Sequence, residues 1–220
     1  MLGTGVHPNL KAEFLKQLCS TLHLPKMSNG ELPQGLTPED IFRYAYAVFY
    51  SSSYRSRYAE FLKIDFPRLP LTESLELFRK LARLGGELVA LHLMESPKLD
   101  KVSTKFIGDR NIEVEKVTWS DNTVWVDKTQ TTGFKDVPEA VWNFHIGSYQ
   151  VCEKWLKDRK GYKLSNDDIA HYQKIILALT ETIRLMQEID GIVEQYGGWP
   201  SAFHIVEKEK PAPSQALLKF

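Results

Sequence analysis

A leucine stripe at residues 77–91 constrains the fold of this chain more than any other sequence feature. Its members recur in steps of four and three residues, which places them on one face of an α-helix. They are Leu77, Leu81, Leu84, Leu88 and Leu91. A stripe of this kind is typical of a helix that lies in a groove between other helices. The sequence therefore predicts the core of a helical bundle, with Thr72 as the cap of this helix and Ser96 at its close.

Two adjacent glycines, Gly85 and Gly86, stand in the middle of this predicted helix. In a helix interior, each glycine costs about 1 kcal/mol of stability relative to alanine. The pair therefore predicts either a kink or a place where another backbone comes close.

Three more helices are predicted before the leucine stripe. The first spans about residues 10–22. Thr37 begins a capping box with Pro38 at the first helical position, and the helix that follows ends at a run of three serines. Its expected buried stripe is Ile41, Ala45, Val48 and Phe49. Ser53 is expected to cap a short third helix. One face of that helix is aromatic and apolar, and consists of Tyr54, Tyr58, Phe61 and Leu62.

Two helices are predicted in the C-terminal part of the chain. Ser148 is expected to cap the first, which buries Val151, Cys152, Trp155 and Leu156. Ser165 and Asp168 form a second capping box, which begins a long helix. Its expected stripe is Ile169, Tyr172, Ile176, Leu179, Ile183 and Met186. We expect this helix to pair with the leucine-striped helix.

Between residues 112 and 146 the hydrophobic period changes to two, and β-branched and aromatic residues dominate. A hairpin folded about Asp121 and Asn122 places Trp119 opposite Val124. The same register gives the further pairs Val117 with Val126, Lys116 with Asp127, and Glu115 with Lys128. The complementary charges support this register.

The predicted fold class is α+β: mainly helical, with long paired helices and a small antiparallel β-sheet inserted at about residues 112–146. Residues 130–134 and 141–146 are expected to add a third and a fourth strand to the hairpin. The predicted organisation is a single domain at 1–198, with helices at 10–96, the β-rich part at 112–146 and helices at 148–190, followed by a poorly ordered tail at 199–220.

Composition excludes several classes of protein. With 43% hydrophobic and 25% charged residues, the chain is expected to be globular and soluble. No apolar run approaches the roughly 20 residues of a membrane helix. The first residues carry no secretory signal, which predicts the cytoplasm. Cys19 and Cys152 are far apart in sequence and are expected to be two reduced thiols.

The sequence carries no recognisable catalytic motif. It lacks a phosphate-binding P-loop, a dinucleotide-binding glycine fingerprint, a nucleophile elbow and the Asn-Pro-Pro-aromatic motif of amino-methyltransferases. Cys19 and His23 offer two metal ligands, whereas zinc takes three or four from a protein. We therefore expect no catalytic residues, no cofactor and no metal.

Two windows are locally basic, although the net charge of the chain is zero. Residues 43–68 and residues 149–165 each hold five basic and two acidic side chains, and the first window is rich in aromatic residues. A fold that brings both windows onto one face would create a basic cleft suited to DNA. Two ordinary solvated helix faces would have the same composition, and the rings also suit helix packing. Both interpretations stay open.

Three blocks resemble a known protein family. They are residues 44–71 (YAYAVFYSSSYRSRYAEFLKIDFPRLPL), residues 77–94 (LFRKLARLGGELVALHLM) and residues 141–190 (VWNFHIGSYQVCEKWLKDRKGYKLSNDDIAHYQKIILALTETIRLMQEID). In this order, with the β-rich segment between the second and third, they resemble the C-terminal specificity domain of type ISP restriction-modification enzymes. In that family the domain reads a DNA sequence, while nuclease, translocase and methyltransferase domains lie upstream.

The resemblance implies a sequence-specific DNA-recognition module without catalytic activity of its own. Its partners would be double-stranded DNA and upstream methyltransferase or helicase domains or subunits. Arginine forks and glutamine amides read base edges, whereas lysines mostly hold phosphates. The candidate DNA contacts are Arg55, Arg57, Lys128, Gln150, Lys154, Lys157, Arg159 and Lys160. The alternative is an interaction scaffold or remnant domain that docks onto a methyltransferase or helicase partner through the long helices.

Overall fold

A computed structural model describes residues 9–25 and 32–203. The helical elements are α1 (Ala12–Thr21), α2 (Pro38–Tyr50), α3 (Ser52–Arg57), α4 (Ala59–Leu62), α5 (Leu75–His92), a 3₁₀ turn (Pro97–Asp100), α6 (Glu139–Trp142), α7 (Val151–Lys157) and α8 (Asn166–Gln195). The strands are β1 (Lys105–Ile107), β2 (Thr118–Ser120), β3 (Thr123–Trp125), β4 (Gly133–Lys135), β5 (His145–Ile146) and β6 (Tyr149–Gln150). The predicted α+β class is confirmed.

Both predicted capping boxes are present. At the start of α2, the Asp40 amide donates to Thr37 Oγ1 at 3.2 Å and the Thr37 amide donates to the Asp40 carboxylate at 2.9 Å. Ser165 and Asp168 make the same reciprocal pair at the start of α8. Both boxes satisfy amides that the first helical turn leaves without a partner.

Two other predicted caps are wrong by two residues. α3 is capped by Ser51, whose hydroxyl accepts an amide hydrogen bond from the first turn at 3.0 Å. Ser53 bonds instead to Asp190 of α8. α5 is capped by Ser74, and Thr72 accepts a hydrogen bond from the Ser74 amide in the preceding turn. In both places several hydroxyls compete for one capping position, which local sequence does not resolve.

The leucine stripe of α5 is buried, and each of its five leucines is at most 1% exposed. α2 packs directly against α5 at Gly85, where an added Cβ would stand 1.8 Å from the carbonyl oxygen of Arg43. The close backbone approach, one of the two alternatives for the glycine pair, is therefore present. A side chain at residue 85 would push the two helices apart.

A hydrogen-bonded chain joins α2, α5 and α8 around His92. Tyr46 Oη lies 2.7 Å from His92 Nδ1, and His92 Nε2 lies 2.9 Å from Thr182 Oγ1. Because the Thr182 hydroxyl donates to the Ala178 carbonyl oxygen, it accepts from His92, which places the imidazole proton on Nε2. Burial lowers the pKa of His92, in agreement with a neutral ring. The predicted pairing of α5 with α8 is confirmed.

The buried stripes of α2 and α8 differ in part from the expected ones. In α2 the buried residues are Ile41, Tyr44, Ala47 and Val48; Ala45 and Phe49 are only partly buried. In α8 the expected residues are buried as far as Leu179, after which the stripe continues through Thr182, Leu185, Ile189 and Val193. Ile183 and Met186 lie beside it.

Two hydrophobic clusters explain the change of face along α8. The first half of α8 packs against the sheet, α6 and α7, whereas the second half packs against α2, α3 and α5. Each cluster draws a different side of the helix inward. A single straight stripe of buried residues along α8 could not pack into both clusters.

The main sheet has the strand order β1-β4-β3-β2, and all neighbours are antiparallel. The predicted pair of Trp119 with Val124 is confirmed. Asp121 and Asn122 have φ of 49° and 54°, the left-handed conformations that a two-residue type I′ hairpin turn requires. Glu115 also pairs with Lys128, at 4.0 Å.

The remaining two hairpin pairs are wrong. The amides of Glu115 and Lys116 both donate to the carbonyl oxygen of Val126, so two residues face one and the register slips beyond Trp125. Asp127 is turned inward instead of pairing with Lys116 and accepts hydrogen bonds from the loop at residues 129–132.

The expected fourth strand at residues 141–146 is also wrong. Val141 and Trp142 belong to α6, whose amides bond back to Pro138, and Val141 is buried in the sheet-side cluster. Only His145 and Ile146 are extended, and they pair with β6 in a separate two-stranded hairpin. The fourth strand of the main sheet is β1, which precedes the expected β-rich segment. Of the strand expected at residues 130–134, only residues 133 and 134 are in a strand, as part of β4.

The first residues of the predicted tail pack against the helices. Trp199 stacks on Phe203 with ring centroids 4.0 Å apart, and its Nε1 donates to Ser53 Oγ at 2.9 Å. Phe203 is 6% exposed. These residues therefore belong to the helical core, whereas the predicted proline-rich part at residues 211–213 lies outside the described residues.

We predict that Gly85→Ala destabilises the protein by about 1–3 kcal/mol or more, because the new methyl group would overlap the Arg43 carbonyl. Gly191→Ala is the matched control. Its Cβ would meet nothing within 4 Å, so the better helix propensity of alanine is expected to stabilise α8 by up to about 1 kcal/mol. Urea unfolding measures both. Equal stability of the two variants would contradict the close approach.

We also predict an acid-sensitive contribution from Asp127, which is 1% exposed. Burial acts to raise its pKa, but hydrogen bonds from Thr129, Thr132 and Thr131 outweigh burial and lower the pKa from 3.8 to about 2. A lowered folded-state pKa contributes roughly 2 kcal/mol of stability, present above the unfolded-state pKa and lost as pH falls from about 4 to about 2.

Asp127→Asn should therefore destabilise the protein by about 1–3 kcal/mol at pH 7, since an amide offers one acceptor oxygen to several donors. The difference from the unsubstituted protein should shrink as the pH falls from 4 to 2. Urea unfolding across this range measures it, with Asp121→Asn in the exposed turn as the control. A difference that stays constant with pH would count against the linkage.

Candidate nucleic-acid interface

A cleft of about 280 Å³ separates α3 from the β5–β6 hairpin. One wall carries Arg55 and the rings of Tyr50 and Tyr54, and the other carries His145 and Ile146. The first wall belongs to the basic window at residues 43–68. The hairpin of the second wall continues directly into the basic window at residues 149–165. The fold therefore brings the first basic window to the start of the second.

Arg55, Arg57 and Lys160 are the least engaged of the eight predicted contacts. All three are exposed, and none forms an ion pair with another residue in the part of the chain that the structure describes. Arg55 and Arg57 both lie on α3, and Arg55 also lines the cleft. Their guanidinium groups are free to meet a ligand without breaking an existing pair.

Three of the predicted lysines form ion pairs at the surface. Lys128 pairs with Glu115 across the hairpin, Lys154 pairs with Asp158 at 2.6 Å, and Lys157 pairs with Glu153 at 2.9 Å. Each of the last two pairs joins residues that are one helical turn apart, on α7 and at its end. Exposed pairs of this kind contribute about 0–1 kcal/mol, so a phosphate can replace the carboxylate at little cost.

Gln150 and Arg159 are used within the fold. The Gln150 amide nitrogen donates to the Trp142 carbonyl oxygen at 2.5 Å. The Arg159 guanidinium lies 3.4 Å above the Trp155 ring and pairs with Asp168 at 3.2 Å. Gln150 thus ties β6 to α6, and Arg159 ties α7 to the start of α8.

The β5–β6 hairpin also corrects the expected cap at Ser148. Gly147, at φ 59°, and Ser148 form the two-residue turn of this hairpin, and α7 begins only at Val151. Gln150 occupies the N-cap position without a side-chain hydrogen bond to the helix. Two residues of this hairpin, His145 and Ile146, line the cleft.

Two exposed rings stand near the cleft and were absent from the predicted contacts. Tyr149 on β6 is 58% exposed, with the Lys154 ammonium 5.7 Å from its ring centroid. Phe66 is 86% exposed and precedes Pro67, which lines the cleft. Neither lies in a long periodic helix or strand. The sequence alone already offers Tyr149 as a ring that could stack on a base, whereas the signal that could have found Phe66 is its place in the non-periodic stretch before Pro67.

A carboxylate on α8 holds α3 in place. Asp190 accepts hydrogen bonds from the hydroxyls of Ser51 and Ser53, at 2.6 Å and 2.7 Å. Ser53 also accepts the indole N–H of Trp199. The start of α3 is therefore fastened to the end of α8, and this contact fixes the direction in which Arg55 and Arg57 project.

No group of three or more His, Cys, Asp or Glu side chains in residues 9–25 and 32–203 could hold a metal ion. Cys19 and Cys152 are both free and buried, as expected. Burial raises the pKa of the Cys152 thiol to about 12, which keeps it protonated at neutral pH. No helix within these residues is long and apolar enough to cross a membrane.

Residues 2–188 match the family described as the type ISP C-terminal specificity domain. This chain belongs to that family. The specificity domain had no significant match among curated protein sequences.

Three solved structures share the fold of this specificity domain. One is a nuclease-deletion mutant of the type ISP restriction-modification enzyme LlaGI in complex with a DNA substrate mimic (21% identity, TM-score 0.55, covering 71% of this chain and 14% of that chain). The second is the ATP-dependent type ISP enzyme LlaBIII bound to DNA (20%, 0.58, 82% and 12%). The third is a DrdV–DNA complex (22%, 0.63, 82% and 20%). The specificity domain thus spans one fifth or less of each of these chains.

We predict that Asp190→Ala loosens α3. Removal of the carboxylate leaves the hydroxyls of Ser51 and Ser53 with fewer partners, which should cost about 1–3 kcal/mol. Hydrogen–deuterium exchange of the α3 amides should accelerate more than that of α5. Glu60→Ala is the control, because Glu60 pairs at the surface with Lys63. Unchanged exchange in α3 would show that Asp190 does not hold this helix.

Proposed function

We propose that this chain is the sequence-reading module of a type ISP restriction-modification enzyme and that it binds double-stranded DNA through the cleft face, defined by α3, the β5–β6 hairpin and α7. The observation that carries the proposal is the cleft itself, which has Arg55 on one wall and, on the other, His145 and Ile146 of the hairpin that leads into the second basic window. The DNA present in the three structurally similar complexes supports the same ligand.

The dimensions of α3 suit a major groove. Six helical residues span about 9 Å, and an α-helix with its side chains is about 10–12 Å across. The major groove of B-DNA is about 12 Å wide and admits one helix. Arg55 and Arg57 would then reach base edges, and their unpaired forks fit the acceptor pair O6 and N7 of guanine.

The remaining candidates divide by how the fold uses them. Lys154, Lys157 and Lys160 would hold phosphates along α7 and its end, and Lys128 would do so from the main hairpin. Gln150 and Arg159 are positioning residues in this proposal, because their polar groups already bond within the fold. Tyr149 and Phe66 offer ring faces for stacking on bases.

The proposed module comprises the predicted residues 1–198 together with residues 199–203, which pack on the helices, and has no catalytic activity of its own. Methyltransferase and helicase domains or subunits would supply the chemistry, since the region similar to this chain makes up only 12–20% of each of the three similar chains. A restriction-modification partner of this kind would act on DNA in the cytoplasm.

Selection from a randomised duplex pool at moderate salt tests the proposal. We expect enrichment of one sequence, and we expect Arg55→Ala or Arg57→Ala to weaken its binding by about 1–3 kcal/mol and to relax preference at one base position. Lys157→Ala should weaken binding to all duplexes equally and lower the salt slope by about 1. Arg184→Ala, which removes an arginine of α8 that pairs with Glu181 and Glu188, is the matched control.

Failure to enrich any sequence, with or without a methyltransferase-bearing partner, would contradict the proposal. Capture of such a partner by a protein that shows no duplex binding would favour the scaffold alternative. Equal losses in Arg55→Ala and Arg184→Ala would remove the cleft face from the interface.

A further inference from the structure

A second basic pocket, of about 380 Å³, lies between the first half of α2 and α5. Three arginines line it: Arg43 from α2, and Arg79 and Arg83 one turn apart on α5. Asp40 is the acidic residue of the lining. None of these side chains is among the proposed DNA contacts.

The acidic groups near this pocket already have partners. The Asp40 carboxylate accepts the amide and the hydroxyl of Thr37 in the capping box. Glu87 and Glu188 both pair with Arg83, at 2.6 Å and 3.3 Å.

Arg43 and Arg79, in contrast, make no ion pair with any side chain at residues 9–25 or 32–203. Two guanidinium groups of like charge therefore face one pocket whose lining carries one carboxylate, that of Asp40, and neither of them pairs with it. An anion in the pocket would relieve their mutual repulsion.

The absence of a side chain at Gly86 leaves room for the Arg43 side chain. A Cβ at residue 86 would stand 3.2 Å from Arg43 Cδ and 3.4 Å from Arg43 Nε, both tighter than ordinary contact. Gly85 is explained by the backbone of α2, but the neighbours of Gly86 are atoms of the Arg43 side chain. A second mid-helix glycine, at a cost of about 1 kcal/mol, thus leaves room for this one guanidinium group.

We propose that the pocket of Arg43, Arg79 and Arg83 binds a phosphate group. A tetrahedral oxyanion offers several acceptor oxygens, and forked guanidinium groups bind such oxygens in charge-assisted pairs. The group belongs either to free phosphate or to the backbone of a nucleic acid. The second source is within reach, since Arg43 and Tyr50 of the cleft share one face of α2 and lie about 10 Å apart along its axis.

Thermal unfolding with inorganic phosphate, at ionic strength held constant with NaCl, tests the site. The melting temperature should rise with phosphate in the unsubstituted protein, as expected for a ligand that binds only the folded state. Arg79→Ala and Arg43→Leu should abolish the rise. Lys101→Ala, which removes an exposed cation elsewhere, should keep it.

Gly86→Leu tests the geometry without removing a charge. It should abolish the phosphate response while its melting temperature without phosphate is not lowered, because leucine is a better helix former than glycine. Gly191→Leu, on α8 where nothing lies within 4 Å, should keep the response. If Gly86→Leu fails to fold, Arg43→Leu carries the test of that side chain.

Duplex binding separates the two sources of phosphate. If the group belongs to a nucleic acid backbone, Arg79→Ala should lower the salt slope of duplex binding by about 1, and inorganic phosphate should compete with the duplex. If the group is free phosphate, Arg79→Ala should abolish the rise in melting temperature with phosphate but leave the salt slope of duplex binding unchanged.

The proposal is overturned if Arg79→Ala and Arg43→Leu change neither the phosphate response nor the duplex salt slope. The melting experiment with inorganic phosphate does not depend on sequence recognition by α3. Failure of the duplex selection would therefore not count against the phosphate site.

Discussion

The absence of a side chain at Gly85 sets the distance between α2 and α5, and much of the structure follows from it. The Arg43 carbonyl occupies the space of the missing Cβ, which lets α2 cover the leucine stripe closely. Because α3 and α4 continue from α2 before the chain returns to α5, this contact also fixes where α3 begins. Asp190 then holds α3 from the opposite side, through Ser51 and Ser53. The cleft face therefore depends on one contact between α2 and α5 and on a second at the start of α3 itself.

The cationic side chains of the two basic windows have unequal roles, although composition treats them alike. Arg159 is fastened between a tryptophan ring and a carboxylate, so its charge serves the packing of α7 on α8. Arg55 and Arg57 have no such partner within the described chain. Lys154 and Lys157 hold an intermediate position, because their carboxylate partners lie on the same short stretch and are exposed. Although the protein is neutral overall, a ligand can therefore pair most readily with the basic side chains that the fold leaves without a partner.

Sequence predicted several features whose chemistry is local, although it misplaced the caps of α3, α5 and α7. The capping boxes at Thr37 and Ser165 and the turn at Asp121 are formed by residues within three positions of one another, so their patterns suffice. The expected strand at residues 141–146 was wrong because a helical turn after Pro138 buries Val141 in the sheet-side cluster. Sequence also identified the basic windows, but the engagement of Gln150 and Arg159 depends on side-chain directions that no periodicity encodes. Only the tertiary structure shows which basic side chains bond within the fold and which do not.

The length of α8 has a thermodynamic consequence. Its 30 residues reach about 45 Å and contribute to both hydrophobic clusters. A helix shared in this way makes the two clusters parts of one cooperative unit, since neither can lose its packing without exposing an apolar face of α8. Damage to the small sheet would therefore raise the unfolded population of the whole bundle, including α3. The free energy of unfolding of the whole unit therefore limits how many destabilising substitutions the small sheet can tolerate.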